Sequence, residues 1–211
     1  MVKHSQTIRC LPWLLSCIAF AAVLMAGCMK EGEDIILLPV QNDRIPTSVL
    51  SSAEQDSLSQ YMEINEGCTP PNIVGIYEVS PVELIHSSEG DYGNFYDFRL
   101  HVESQNGRNL SVYSETQNTV TSESGEAYVI GSDDRFTLYT IEKSVNNTEG
   151  WSWETTTIVS GRKTAEGIAE LRYAIMMRNK QDDDGHLVAP DSFRVFTDGD
   201  GIASVTTEMS R

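Results

Sequence analysis

From Pro70 onward the chain alternates apolar and polar residues with a period of two, and short turns, not helices, separate the runs. A period of two sends successive side chains to opposite faces of a strand, one buried and one wet. Ile73, Gly75, Tyr77 and Val79 alternate in the first run. Tyr96, Phe98, Leu100 and Val102 alternate with Asp97, Arg99, His101 and Glu103 in the next. The Asn106-Gly107 pair then signals a tight hairpin into Leu110 and Val112. Further strands are expected near 126–131, 135–143, 151–160, 168–178 and 193–197 or a little beyond. Turns at Ser124-Gly125, Ser132-Asp133-Asp134, Asn146-Asn147, Glu166-Gly167 and Asp182-Asp183-Asp184-Gly185 separate them. In the 168–178 run, Leu171, Tyr173, Ile175 and Met177 make one apolar face, with Arg172 and Arg178 on the other.

About eight strands with no helix between them predict an all-β fold, an antiparallel up-and-down meander. Such a sheet must hide its edges. Closing into a barrel does so, and eight strands leave a small interior. The expected architecture is therefore a lipocalin-like barrel, with a two-sheet β-sandwich as the runner-up. Ahead of the strands, 47–61 reads as one short helix. Val49, Leu50, Ala53, Leu58, Tyr61 and Met62 share a face, and Ser51 with Glu54 offers a capping box. Such a helix is placed to plug one end of the barrel. The expected organisation is a signal peptide at 1–27, a lipidated tether at 28–46 and one β domain at 47–211.

The first residues read as a targeting segment. Lys3 and Arg9 precede an apolar stretch from Leu11 to Val23, and Ala26-Gly27 precede Cys28. The stretch is too short and too one-sided in its flanks for a membrane-spanning helix. Leu24-Met25-Ala26-Gly27-Cys28 resembles the bacterial lipobox, with Met25 where Leu is usual. That resemblance implies cleavage before Cys28 and a diacylglyceryl thioether on its sulfur. Two or three acyl chains anchor a protein stably. Met29 is not the Asp that retains lipoproteins at the inner membrane, and Lys30-Glu31-Gly32-Glu33-Asp34 looks like the acidic export signal of Bacteroidota-type surface lipoproteins. The expected address is the outer membrane of a Gram-negative bacterium, lipid-anchored, at the cell surface. Of Cys10, Cys17, Cys28 and Cys68, processing removes two and lipidates a third, so no disulfide is expected in the processed body. Cys68 reads as a passive residue in a turn.

Function is constrained mainly by exclusion. With 15 basic against 31 acidic residues the net charge is −16, which repels nucleic acid. There is no Gly-x-Ser-x-Gly elbow, and Ser160-Gly161-Arg162-Lys163 lacks the partner motifs that Ser-x-x-Lys chemistry needs. His86, His101 and His186 are not at metal-ligand spacing. No catalytic residue is assigned, and no cofactor is expected beyond calcium. Its candidates are Asp182, Asp184, Asp198 and Asp200, in acidic loops whose Asp and Gly also suit tight turns. Trp151 and Trp153 share one strand face with Thr155 and Thr157. With Tyr77 they are the ligand-binding candidates, able to stack on a sugar or line an apolar cup.

Several segments carry a further likeness. Pro70-Pro71-Asn72-Ile73-Val74-Gly75-Ile76-Tyr77, Ile130-Gly131 with Phe136-Thr137-Leu138-Tyr139, Ile158-Val159-Ser160-Gly161, and Phe193 through Gly201 resemble a family of outer-membrane lipoproteins from gut-type Bacteroidota. The resemblance covers roughly 62–203 and implies a host and an address, with no activity attached. Gly75-x-Tyr77 is also similar to the Gly-x-Trp that opens lipocalin-like barrels. The expected function is non-catalytic binding of a small molecule, a glycan or an envelope protein. The alternatives are an interaction subunit of a larger envelope complex and a carboxylate-dependent hydrolase. A binder needs a cavity open at one end with aromatic lining. A complex subunit needs an exposed apolar patch or edge, and a hydrolase needs two close carboxyls in a cleft.

Overall fold

The period-two runs become strands, and the strands close on themselves. In the computed structural model the chain forms two units, Met1–Val40 and Gln41–Arg211. The structure describes residues 43–90, 95–116, 119–120, 125–146, 151–182, 185 and 187–206, all within the second unit. One helix, α1 (Ser52–Leu58), precedes twelve strands. These are β1 (Cys68–Thr69), β2 (Gly75–Val79), β3 (Val82–Ser87), β4 (Phe98–Asn106), β5 (Asn109–Thr116) and β6 (Thr119–Val120). They continue with β7 (Gly125–Ser132), β8 (Arg135–Asn146), β9 (Trp151–Lys163), β10 (Gly167–Gln181), β11 (Phe193–Asp198) and β12 (Ile202–Thr206).

Eight of them form a closed antiparallel cycle, β2-β4-β5-β7-β8-β9-β10-β12 and back to β2. The seam pairs Ser204 with Glu78, Val205 with Tyr77 and Thr206 with Ile76. This is a lipocalin-like barrel, as the alternation predicts. One strand assignment is corrected. The run at 193–197 is not the eighth barrel strand at this seam; 202–206 is. Asp198-Gly199-Asp200-Gly201 interrupts the strand, with Gly201 at φ +91 in the left-handed region that only glycine enters cheaply.

Strand β10 carries both pieces in turn. Its first residues, Gly167–Ala169, pair with β12, and Arg172–Met176 pair with β11. The register shifts between Ala169 and Arg172, where Glu170 sits at φ 57. Such a bulge bends the strand and re-aims its neighbours. Above it β11 pairs with β3 instead of continuing the seam.

The barrel interior is packed at the end where the 107, 133–134 and 164–166 turns lie. Ile73, Tyr77, Val129, Phe136, Ile168 and Ala203 are fully buried there. Tyr77 donates its hydroxyl to the Ile73 carbonyl at 2.8 Å. Burial alone holds that phenol up at about 12.

The N-terminal segment lies elsewhere than the sequence suggests. Helix α1 is shorter than 47–61, though its capping box forms: Glu54 N–H donates to Ser51 Oγ, and Ser51 N–H to Glu54 Oε2. It does not plug the barrel. Arg178 Nε donates to Thr156 Oγ1 at 2.7 Å, Nη2 donates to the Val49 carbonyl at 2.5 Å, and Nη1 pairs with Glu54. Asn65 Nδ2 donates to the Phe136 carbonyl at 3.0 Å, and Asn65 N–H to Thr137 Oγ1 at 2.7 Å. Thr137 and Thr156 lie on the outward faces of β8 and β9, so the segment covers the outside of the wall. That explains why outward-pointing Ile158, Met176 and Tyr139 are buried, together with Val49, Leu50, Leu58 and Met62. Ile45 is buried as well, so the packed body begins ahead of residue 47.

Cys68 stands in β1, not in a turn, and pairs in register with Gly131 of β7. It is disulfide-bonded, with its partner outside the described residues. The expectation of no disulfide concerns the processed body, without Cys10 and Cys17.

The Arg178 guanidinium is the densest tie between segment and wall. Arg178→Ala strands Glu54 and a carbonyl, at a cost of about 2–4 kcal/mol. Urea unfolding checks the cost. Hydrogen exchange in 45–62 should rise before exchange in β8 and β9; protection there unchanged from wild type would show that the segment is held without it.

Candidate functional site

The two ends of the barrel are filled differently. Towards the end opposite the packed turns, the inward positions change from Leu, Ile and Val to hydroxyl-bearing residues. Thr155 and Thr157 on β9, Ser144 on β8, and Ser114 and Thr116 on β5 are too short to meet across the interior. A cavity of about 410 Å³ remains. That is within the range of small-molecule sites.

Aromatic rings supply the rest of the wall. Phe98 on β4 lies 5.1 Å from Tyr173 on β10, and Tyr173 lies 6.0 Å from Phe196 on β11. Phe95 meets Phe196 edge-on at 4.7 Å. Trp153, Tyr96 and Ile175 complete the lining, with Val82 from β3. A second recess of about 380 Å³ shares Trp153, Thr155 and Ile175 with the first and extends toward Leu187 and Phe193.

One carboxyl lines this cavity, that of Glu142 on β8. It falls on the same strand parity as Phe136, Leu138 and Thr140, which face the interior. Burial raises its pKa. Tyr173 is also pushed well above its ordinary value, first by burial and then by the Glu142 charge, with a hydrogen bond from Thr157 opposing.

The structure places Trp153 with Thr155 and Thr157 in the wall, on the one face expected of them. Trp151 is 6.3 Å from Trp153 between ring centres but is not part of the lining. Tyr77 lies apart from this cavity: it faces the interior at the packed end, has no exposed surface, and donates its hydroxyl to the Ile73 carbonyl. In the sequence Tyr173 and Phe98 read only as members of apolar strand faces, and neither Glu142 nor Phe196 is marked as a site residue. Glu142 had a readable signal, an acidic residue on the core parity of its strand.

Three of the calcium candidates accept backbone N–H groups. Asp182 Oδ2 accepts from Leu187 N–H at 2.6 Å and faces Lys180 Nζ at 3.6 Å. Asp184 lies outside the described residues. Asp198 accepts from Ser80 N–H at 3.0 Å and from Asp200 N–H at 3.2 Å. Asp200 accepts from Ile202 N–H at 3.1 Å. Among the described residues no group of three or more His, Cys, Asp or Glu is placed to hold a metal. Asp198 is 3% exposed. Burial first, then a hydrogen bond shared with Asp200, push its carboxyl up to about 6, while that same bond lowers Asp200.

This pair predicts a pH dependence. The folded chain keeps the Asp198 proton up to about 6, whereas an ordinary aspartate releases it near 3.8. The contribution is therefore complete below that window and lost as pH rises through it, by about 1–3 kcal/mol. Asp198→Asn should flatten the fall in urea midpoint across the window, leaving the slope that Glu142 adds in the same direction. An unaltered slope would rule the pair out as its source. No protein-family model, curated protein or solved structure matches this chain, so the site is read from its own geometry.

Proposed function

We propose that this protein is a non-catalytic binding domain that holds a small, largely apolar molecule in the barrel mouth. An eight-stranded antiparallel barrel fits a binding domain in general, and the aromatic-lined cavity beside Trp153 carries the finer reading. The wall favours a largely apolar small molecule over a glycan, because more of its exposed surface is apolar than polar, with Val82 and Ile175 beside the rings. For catalysis by paired carboxyls the lining offers Glu142 alone. We further propose that the chain is anchored through lipid on Cys28 and displayed on the outer membrane, which rests on the lipobox and the acidic residues after it.

A second reading keeps one observation. Ile85 and Tyr96 are 41% and 64% exposed near the same end, and β3 pairs only with β11 among the described residues. An exposed apolar edge suits a partner protein in an envelope complex.

Native mass spectrometry of the protein purified from its own host separates the two. A bound species of below about a kilodalton, lost on denaturation, is the expected result. Trp153→Ala should weaken its retention about tenfold or more, the scale of losing one buried aromatic anchor. Co-purification of a stoichiometric protein with an empty mouth would favour the complex instead. For the anchor, the expected N-terminal peptide is a diacylated one that disappears in Cys28→Ala. The thioether uses the Cys28 sulfur, so a Cys28 found in a disulfide overturns the anchor.

A further inference from the structure

Glu142 is the anomaly of the cavity. It occupies an inward position on β8, between core-facing Thr140 and Ser144, where the strand pattern calls for a residue at ease out of water. No hydrogen bond or ion pair among the described residues reaches its carboxylate. Lys143, its neighbour in sequence, and Arg194, which lines the adjoining recess, have other partners. Lys143 faces Glu154 on the outer surface at 3.6 Å, and Arg194 lies over the Phe95 ring at 5.8 Å. A partly buried carboxylate with no partner is costly unless something pairs with it.

The surroundings say what kind of partner fits. Phe98, Tyr173 and Phe196 form one contiguous aromatic cluster in the same wall. Ring faces attract cations, most strongly where water is excluded. An anionic ligand would meet the Glu142 charge, and a hydrocarbon would leave that carboxylate unpaired. The net charge of −16 draws cations toward the chain from solution.

We infer that the mouth takes an organic cation, an amine or quaternary ammonium on an apolar body, with its charge paired to Glu142 among the rings of Phe98, Tyr173 and Phe196. This rests on the reading of the cavity as a binding site and names the ligand class for it.

The test uses the full-length protein with Nile red as an uncharged reporter of the cavity. Two competitors of one shape are compared: benzyltrimethylammonium, and neopentylbenzene, in which carbon replaces the charged nitrogen. The ammonium should displace the dye at a concentration about tenfold or more lower than the hydrocarbon. Glu142→Gln should abolish that preference and Glu142→Asp should restore part of it. Lys143→Ala, on the outer surface, should leave it intact. Unfolding midpoints of the variants report whether each is folded. Dye binding with no preference for the ammonium overturns the inference and leaves the binding reading standing. A preference that survives Glu142→Gln overturns the assignment to this carboxyl. Failure of the dye and of both competitors to bind the wild-type protein overturns the binding reading itself, and the inference with it.

Discussion

The antiparallel pairing of β12 with β2 converts a sheet into a tube. Three residue pairs, Ser204 with Glu78, Val205 with Tyr77 and Thr206 with Ile76, join strands that lie more than a hundred residues apart in sequence. Without that seam, β2 and β12 would each present an open edge. The interior would lose its enclosure too, since fully buried Tyr77 stands in the ladder between Val205 on β12 and Leu100 on β4. The cavity, the outer cover and the forked rim all presuppose a closed base.

The same strands do two jobs at two heights. Near the base, Val129, Phe136, Leu138 and Val159 interdigitate and leave no space. Two to six residues away along β8 and β9 the inward side chains become Glu142, Ser144, Thr155 and Thr157, and the interior opens. An apolar core at the base offsets the packing that the mouth forgoes. The outside of the same wall is also apolar, because Ile158 and Met176 are covered by the segment ahead of β1. β9 and β10 are therefore buried on both faces through much of their length, and Arg178 secures the cover with bonds to both layers.

How much of this was legible follows from what alternation encodes. It tells which face a residue occupies, so Trp153, Thr155 and Thr157 were correctly grouped. It does not tell the height along the barrel axis. Tyr77 and Trp153 both face inward, and only the register of β2 against β4 and β12 places Tyr77 at the packed end. β12 was indistinct because Ile202-Ala203-Ser204-Val205-Thr206 carries small residues and little contrast. β3 was passed over because Pro81 precedes it and Ile85 breaks its alternation. An apolar helix face shows that something is covered, not which surface covers it, hence the helix on the outside of the wall. The shape of the cavity lay beyond sequence reasoning, since it depends on which short side chains face one another across the barrel.

The fork in β10 has a mechanical meaning. Below the bulge at Glu170 the tube is a complete hoop; above it, β11 and β3 leave the hoop as a flap, and no ladder joins β3 to β4 among the described residues. Asp97 spans the root of that slit, accepting from Ser80 Oγ at 2.6 Å and from Val82 N–H at 3.0 Å. The barrel is thus a cup with a slit collar. Closure is graded along one axis: ladders form a full hoop at the base, while at the rim the wall stays open between β3 and β4 among the described residues.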